Sequence, residues 1–264
     1  MIPSNQYPIL VLESAIPPHA EPPHCLNCGC TDVDQYCLRC GQKTQPTRLP
    51  LSAFLEDAIV TLFSIDSRWY RTITGLFAHP GRITFAYIEG KRASYLPPVR
   101  TYLSISILYF VVVQFVQSNQ VFLIDFSPAQ GTTAQIATTV KFALFFLVPI
   151  FGGIVQLFHR KRNAFYVEYL IFALHIHSVW LVLLMVKDLV NWVDVMTTYE
   201  WVHVLVFVIT ALAQLATFVY LVLYLKHTFQ QGWLNSIGKA FGIVALYILC
   251  VIAATVSYLF IFYE

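Results

Sequence analysis

The sequence predicts an all-α polytopic membrane protein: about five transmembrane helices, preceded by interfacial helices and a small N-terminal zinc ribbon. Three observations carry that expectation. Hydrophobic residues make up 58% of the 264 residues and charged residues only 11%, against roughly a quarter charged in soluble domains. Five apolar runs each approach the ~20 residues that a helix needs to cross a bilayer. Four cysteines, Cys25, Cys28, Cys37 and Cys40, stand near the N-terminus as two CxxCG knuckles.

Residues 1–24 hold six of the thirteen prolines and little that could build a core, which predicts a disordered leader. It has no basic n-region, and Tyr7–Leu12 is too short for the apolar core of a signal peptide. Insertion is therefore expected to rest on the membrane helices themselves.

Residues 25–43 form the expected ribbon. Each CxxC pair can present two thiolates from one turn, and the glycine after the second cysteine supplies the positive φ that such a turn often needs. Two facing turns give a tetrahedral four-sulfur cage, the preferred geometry of structural Zn²⁺. Redox-active dithiols, or a ribbon that has lost its metal, fit the same residues. Four sulfur ligands would leave no open coordination position, so the metal is expected to be structural. Cys30 and His24 are spare donors nearby whose part in binding the spacing leaves open. Cys250, inside the last apolar run, reads as a small packing residue.

Residues 51–98 change character. Leu51, Phe54, Leu55, Ala58, Ile59, Leu62 and Phe63 recur at helical spacing. Ser67–Ala78 mixes Trp69, Ile73, Leu76 and Phe77 with Arg68 and Arg71, and Pro80–Glu89 predicts a third short helix stopped by Gly90. These pieces are too polar and short to span, and suit either the cytoplasmic interface of a membrane or an ordinary soluble helical subdomain.

Residues 99–264 form the expected transmembrane bundle, with spans near Val99–Val116, Thr139–Leu157, Ala164–Val186, Val202–Leu225 and Ile237–Phe262. Nine of the sixteen basic residues precede Thr101, and His159-Arg160-Lys161-Arg162 joins the second and third spans. The positive-inside rule then puts the N-terminus in the cytosol and the C-terminus outside, with only Lys141 and Lys187 toward the outer face. Trp192 and Trp201 fall at the outer edge and Trp233 at the inner. This topology places the cysteines in a reducing compartment, where metal binding is favoured over disulfides. Gly152-Gly153 beside Pro149 reads as a kink in the second span rather than a nucleotide loop.

The paired knuckles closing in Gly41-Gln42-Lys43, then Arg71-Thr72, Pro80-Gly81, Gly90-Lys91-Arg92, Tyr95, Pro97, Pro98 and the first span, resemble a family of bacterial membrane proteins of unknown function. Its members join an N-terminal zinc ribbon to several transmembrane helices. The resemblance covers about residues 25–115; Cys30 and the proline-rich leader depart from it without touching the ligand spacing. It implies architecture and a bacterial inner-membrane location, not chemistry.

Two further groups are candidates. Arg82, Lys91, Arg92 and Arg100 meet the membrane just before the first span, where cations attract anionic headgroups at ~1 kcal/mol each; charge that only sets topology is the plainer reading. Within the spans, Glu168 and His175 lie seven residues apart on one helix face, and Thr210, Gln214 and Thr217 form a polar stripe. Ionisable groups in a span are costly and often functional, although interhelical hydrogen bonding accounts for the same residues. No nucleophile elbow, phosphate-cradling loop, HExxH or paired-carboxylate motif occurs, so no catalytic residue is expected. The ribbon sets Arg39 and Lys43 against Asp32 and Asp34, which argues against nucleic acid. The sequence thus favours a non-enzymatic membrane protein with a docking or regulatory ribbon. Its partners would be lipids and a protein held by the ribbon. The rival is a transporter or lipid-handling protein that uses Glu168, His175 and Gln214.

Overall fold

The structure is a computed structural model and describes residues 24–44, 51, 68–117, 147–195 and 198–263. The leader, the amphipathic stretch 52–63, the loop after the first span and the first half of the second span lie outside the described residues. Seven α-helices occur among those described: α1 Arg68–Ala78, α2 Arg82–Ile88, α3 Pro98–Gln117, α4 Val148–Phe158, α5 Tyr166–Val195, α6 Glu200–Phe229 and α7 Trp233–Tyr263. Among the described residues there is no strand; the cysteine module carries two isolated β-bridges, Val33 with Cys37 and Tyr36 with Lys43.

Helix α5 is the hub, packing against α1, α2, α3, α4 and α6. It is apolar on every side, the pattern of a helix enclosed by others, and 67% of its most hydrophobic stretch is buried. The corresponding shares for α6 and α7 are 11% and 22%, so these two stand at the periphery. Trp201, Phe207, Leu212 and Leu215 of α6 point outward. Phe151 of α4, Phe172 of α5, Tyr224 of α6 and Ile243 of α7 meet in the core.

Three helices, in α5, α6 and α7, are long and apolar enough to cross a membrane, whereas α3 and α4 are apolar but shorter over their described residues. The sequence anticipates five spans; the described residues contain three of sufficient length. Helices α5 to α7 also run several residues past the expected ends of the last three spans.

The short helices do more than skirt the bundle. Leu76 of α1 and Ile83 of α2 bury against Val179 of α5. The Tyr220 hydroxyl donates to the Leu76 carbonyl at 2.6 Å. The buried Thr84 hydroxyl lies 2.8 Å from Nδ1 of His175 and also touches the Tyr224 hydroxyl. The α1–α2 hairpin is thereby fixed to α5 and α6 by buried polar contacts as well as by apolar packing, and such contacts cost most when left half-made.

Candidate metal centre

The two knuckles have the same backbone. In the first, the Gly29 N–H donates to the Cys25 carbonyl at 2.8 Å and the Cys25 N–H to the Cys30 carbonyl at 2.7 Å. Twelve residues on, the Gly41 N–H donates to the Cys37 carbonyl at 2.9 Å and the Cys37 N–H to the Gln42 carbonyl at 2.8 Å. Gly29 and Gly41 hold φ of 75° and 70°, the left-handed conformation that the CxxCG pattern anticipates and that a side chain would oppose.

Facing each other, the turns bring Sγ of Cys25 to 3.5 Å from that of Cys40, and Sγ of Cys28 to 3.6 Å from that of Cys37. All four sulfurs lie within 4.8 Å of one another. A tetrahedron with metal–sulfur bonds of ~2.3 Å has edges of about 3.8 Å, so the set fits a four-thiolate metal. The cysteines are free thiols. The Cys40 N–H, followed by that of Arg39, favours the thiolate of Cys37 and pulls it down to about 6, against burial. At Cys28 the Cys30 N–H works the same way, but burial and the neighbouring sulfurs outweigh it and lift the thiol to about 12. Burial also raises Cys25. One sulfur ionises readily and its neighbours then resist, a frustration that a divalent cation at the centre would relieve. Cys30 is outside the cluster, its thiol 4.0 Å from the Asp32 carbonyl, and among the described residues the cluster contains no His24.

The module is seated on one loop. The Gln42 amide donates from Nε2 to the Gly90 carbonyl at 2.9 Å, while its Oε1 accepts the N–H groups of Arg92 at 3.0 Å and Ala93 at 2.9 Å. The Ser94 hydroxyl donates to Oδ1 of Asn27 at 2.8 Å. Gly90 has φ of 95°, and a Cβ there would stand 2.5 Å from Leu26 Cδ1; the residue must be small to let the first knuckle down. From the other side, Arg68 donates to the Ala93 carbonyl at 3.2 Å, and the Thr72 hydroxyl accepts the Leu96 N–H at 2.9 Å while donating to the Arg68 carbonyl. The loop 90–96 is thus clamped between the cysteine module and α1. The sequence singles out Gln42, Thr72 and Gly90 as motif letters; it does not show that they meet.

The remaining candidates separate. Arg82 and Lys91 are exposed, Arg92 stands with its guanidinium 6.0 Å from the Tyr87 ring centre, and Arg100 is buried at 2% exposure. Of the expected headgroup contacts, two are on the surface and one is enclosed by protein. His175 is wholly buried against Thr84 and Tyr87. Glu168 sits in the first turn of α5, where Oε1 accepts the Phe165 N–H at 3.4 Å, and Gln214 is exposed on α6. The three occupy different environments. His177, by contrast, is tied into the core through the Ala173 carbonyl and the Tyr247 hydroxyl.

Residues 66–110 match a family model described as "Protein of unknown function (DUF3667)". The matched stretch holds α1, α2, the clamped loop and the start of α3, and stops short of the four cysteines. No curated protein and no solved structure matches the chain.

Proposed function

We propose that this chain is an integral protein of the bacterial inner membrane whose cytosolic cysteine module binds one structural Zn²⁺, caps the loop that leads into the first span, and docks a protein partner. The observation that carries the reading is the three-bond grip of Gln42 on Gly90, Arg92 and Ala93. Zinc closes the knuckle, and the knuckle positions the glutamine. With four sulfur ligands the ion has no position left for a substrate, so its contribution is folding energy.

The membrane part of the proposal is supported by the three long apolar helices and by the outward apolar surface of α6 and α7. A 30-residue α6 is about 45 Å long, ample for a hydrocarbon core of ~30 Å. Trp201 and Trp233 are exposed at opposite ends of the α6–α7 hairpin, as interfacial tryptophans would be. Docking is supported by the outer knuckle, where Leu38 is 82% exposed and Tyr36 55% exposed beside the metal cluster.

The test is affinity purification of the full-length protein from membranes, with zinc analysis and mass spectrometry, comparing wild type with Leu38→Asp. We expect about one zinc per chain in both, and a protein retained by the wild type that the variant loses. Zinc-free protein, isolated without chelators, would remove the structural-metal reading; identical retained proteins would remove the docking reading.

A further inference from the structure

A second site is formed by the turn between α4 and α5, remote in sequence from the cysteines. It is an open cavity of about 560 Å³ whose walls include Gly153, Gln156 and Leu157 of α4 and Arg160, Lys161 and Arg162 of the turn. That volume falls in the ~300–1,000 Å³ range of small-molecule sites, far beyond what a bare anion fills.

The turn is stiff. His159 is buried, its Nδ1 2.8 Å from the Val155 carbonyl and its ring 4.2 Å from that of Phe229. The Tyr169 hydroxyl donates to the His159 carbonyl at 3.4 Å, and the Arg162 N–H to the same carbonyl at 2.9 Å. Arg162 is pinned further, donating to the Phe229 carbonyl at 3.4 Å with its guanidinium 5.5 Å from the Phe229 ring centre. Arg160 and Lys161, like Arg162, are exposed and line the cavity. Burial holds His159 down to about 4, so it adds no charge near neutrality. Glu168, the nearest carboxylate in sequence, is not among the cavity-lining residues.

The opposite wall is one face of α4. Gly153, Gln156, Leu157 and Arg160 follow one another on a single face of α4 and its end, at spacings of three and four residues. Leu157 is 41% exposed, and a Cβ added at Gly153 would meet nothing within 4 Å among the described residues. The groove therefore runs from a cationic mouth onto Gly153, Gln156 and Leu157 of α4. We infer that it binds a phosphate group, with the guanidinium forks supplying the bidentate donors that phosphate accepts, and that the exposed Leu157 and open Gly153 beside them favour a phosphate carried by a lipid. Basic pockets between apolar helices at a membrane face suit such headgroups. Only the lipid source depends on the membrane reading above; the phosphate chemistry does not.

The experiment uses full-length protein in mild detergent, its folding checked by thermal melting. The probes are phosphatidylglycerol, phosphatidylcholine and soluble glycerol phosphate, read by native mass spectrometry and competition. Wild type should retain phosphatidylglycerol over phosphatidylcholine, and R160Q/K161Q should weaken that retention by roughly tenfold to thirtyfold. G153F, which fills the floor without touching a cation, should lower lipid retention while leaving glycerol phosphate unaffected. Should glycerol phosphate bind, with R160Q/K161Q abolishing it and lipid failing to compete, the ligand is a soluble phosphate ester and the site stands. Equal retention of both lipids, unchanged in R160Q/K161Q and with no glycerol phosphate binding, overturns the site. If R160Q/K161Q fails to melt cooperatively, the single variants R160Q and K161Q replace it, each expected to weaken phosphatidylglycerol retention by roughly fivefold; folded single variants that both bind as wild type does overturn the site.

Discussion

The first knuckle, Cys25–Cys30, and the second, Cys37–Gln42, repeat the same two backbone hydrogen bonds and the same positive-φ glycine, yet their side chains do opposite things. At the second position Leu26 packs down onto Gly90, whereas its counterpart Leu38 is 82% exposed. At the third, Asn27 accepts from Ser94, while Arg39 is exposed. At the sixth the roles reverse: Gln42 grips three backbone groups of the loop, and Cys30 stays near the surface beside Asp32. The four-sulfur cluster comes from what the knuckles share. The seat on the loop comes from where they differ, because two turns facing each other across four sulfurs cannot both present the same edge to one loop.

The largest expected effect strikes the shared part. Cys37→Ser should empty the site, since structural zinc contributes on the order of 10–16 kcal/mol of apparent binding energy in isolated modules. Trypsin should then cut at Lys91 and Arg92 in the intact protein, while circular dichroism reports helices essentially unchanged. Survival of zinc in that variant would contradict the four-ligand cage.

Next comes the sixth position, where the comparison is sharpest. Gln42→Ala removes three part-buried hydrogen bonds to the loop, although the Arg92 N–H keeps its bond to the Gly90 carbonyl, and should cost about 1–3 kcal/mol. Zinc content should stay at wild-type level and trypsin should again reach the loop. Cys30→Ser, at the equivalent place, should change neither zinc stoichiometry nor protease protection. A loss of zinc in that variant, measured by elemental analysis, would make Cys30 a ligand and break the symmetry argument.

Smallest is the second position. Leu26→Ala removes packing over Gly90 and should lower the melting temperature by the equivalent of about 1–2 kcal/mol, at the low end for truncating an enclosed leucine because Leu26 is only partly buried. Leu38→Ala, on an exposed tip, should stay within about 0.5 kcal/mol. Equal effects at the two leucines would mean that the outer knuckle is not outward in solution.

Much of the cysteine module was legible because it is local. A CxxCG turn places its own two sulfurs and needs its own glycine, so spacing alone anticipates each half of the cluster, whereas the 3.5 and 3.6 Å sulfur pairs join one knuckle to the other. The apolar runs likewise anticipate α5, α6 and α7, since length and hydropathy belong to each segment by itself. The polar residues were harder. Glu168 and His175 share a helix face by period, but one lies in the first turn of α5 and the other deep against Thr84. Helical spacing fixes an angle, not what stands opposite it. Arg100 shows the same gap, as a basic residue before an apolar run can face either headgroups or protein, and it is buried.

The sequence by itself determined the elements that close over short distances: the cysteine cage, the glycine turns, the apolar helices and the cationic turn at Arg160–Arg162. Tertiary structure alone decided which of them meet. Gln42 finds Gly90 across 48 residues, the Thr84 hydroxyl reaches His175 across 91, and a glycine on α4 becomes the floor of a groove. The reason is physical: local geometry follows from backbone preferences within a turn or two, whereas a contact between distant segments depends on the simultaneous packing of every helix between them.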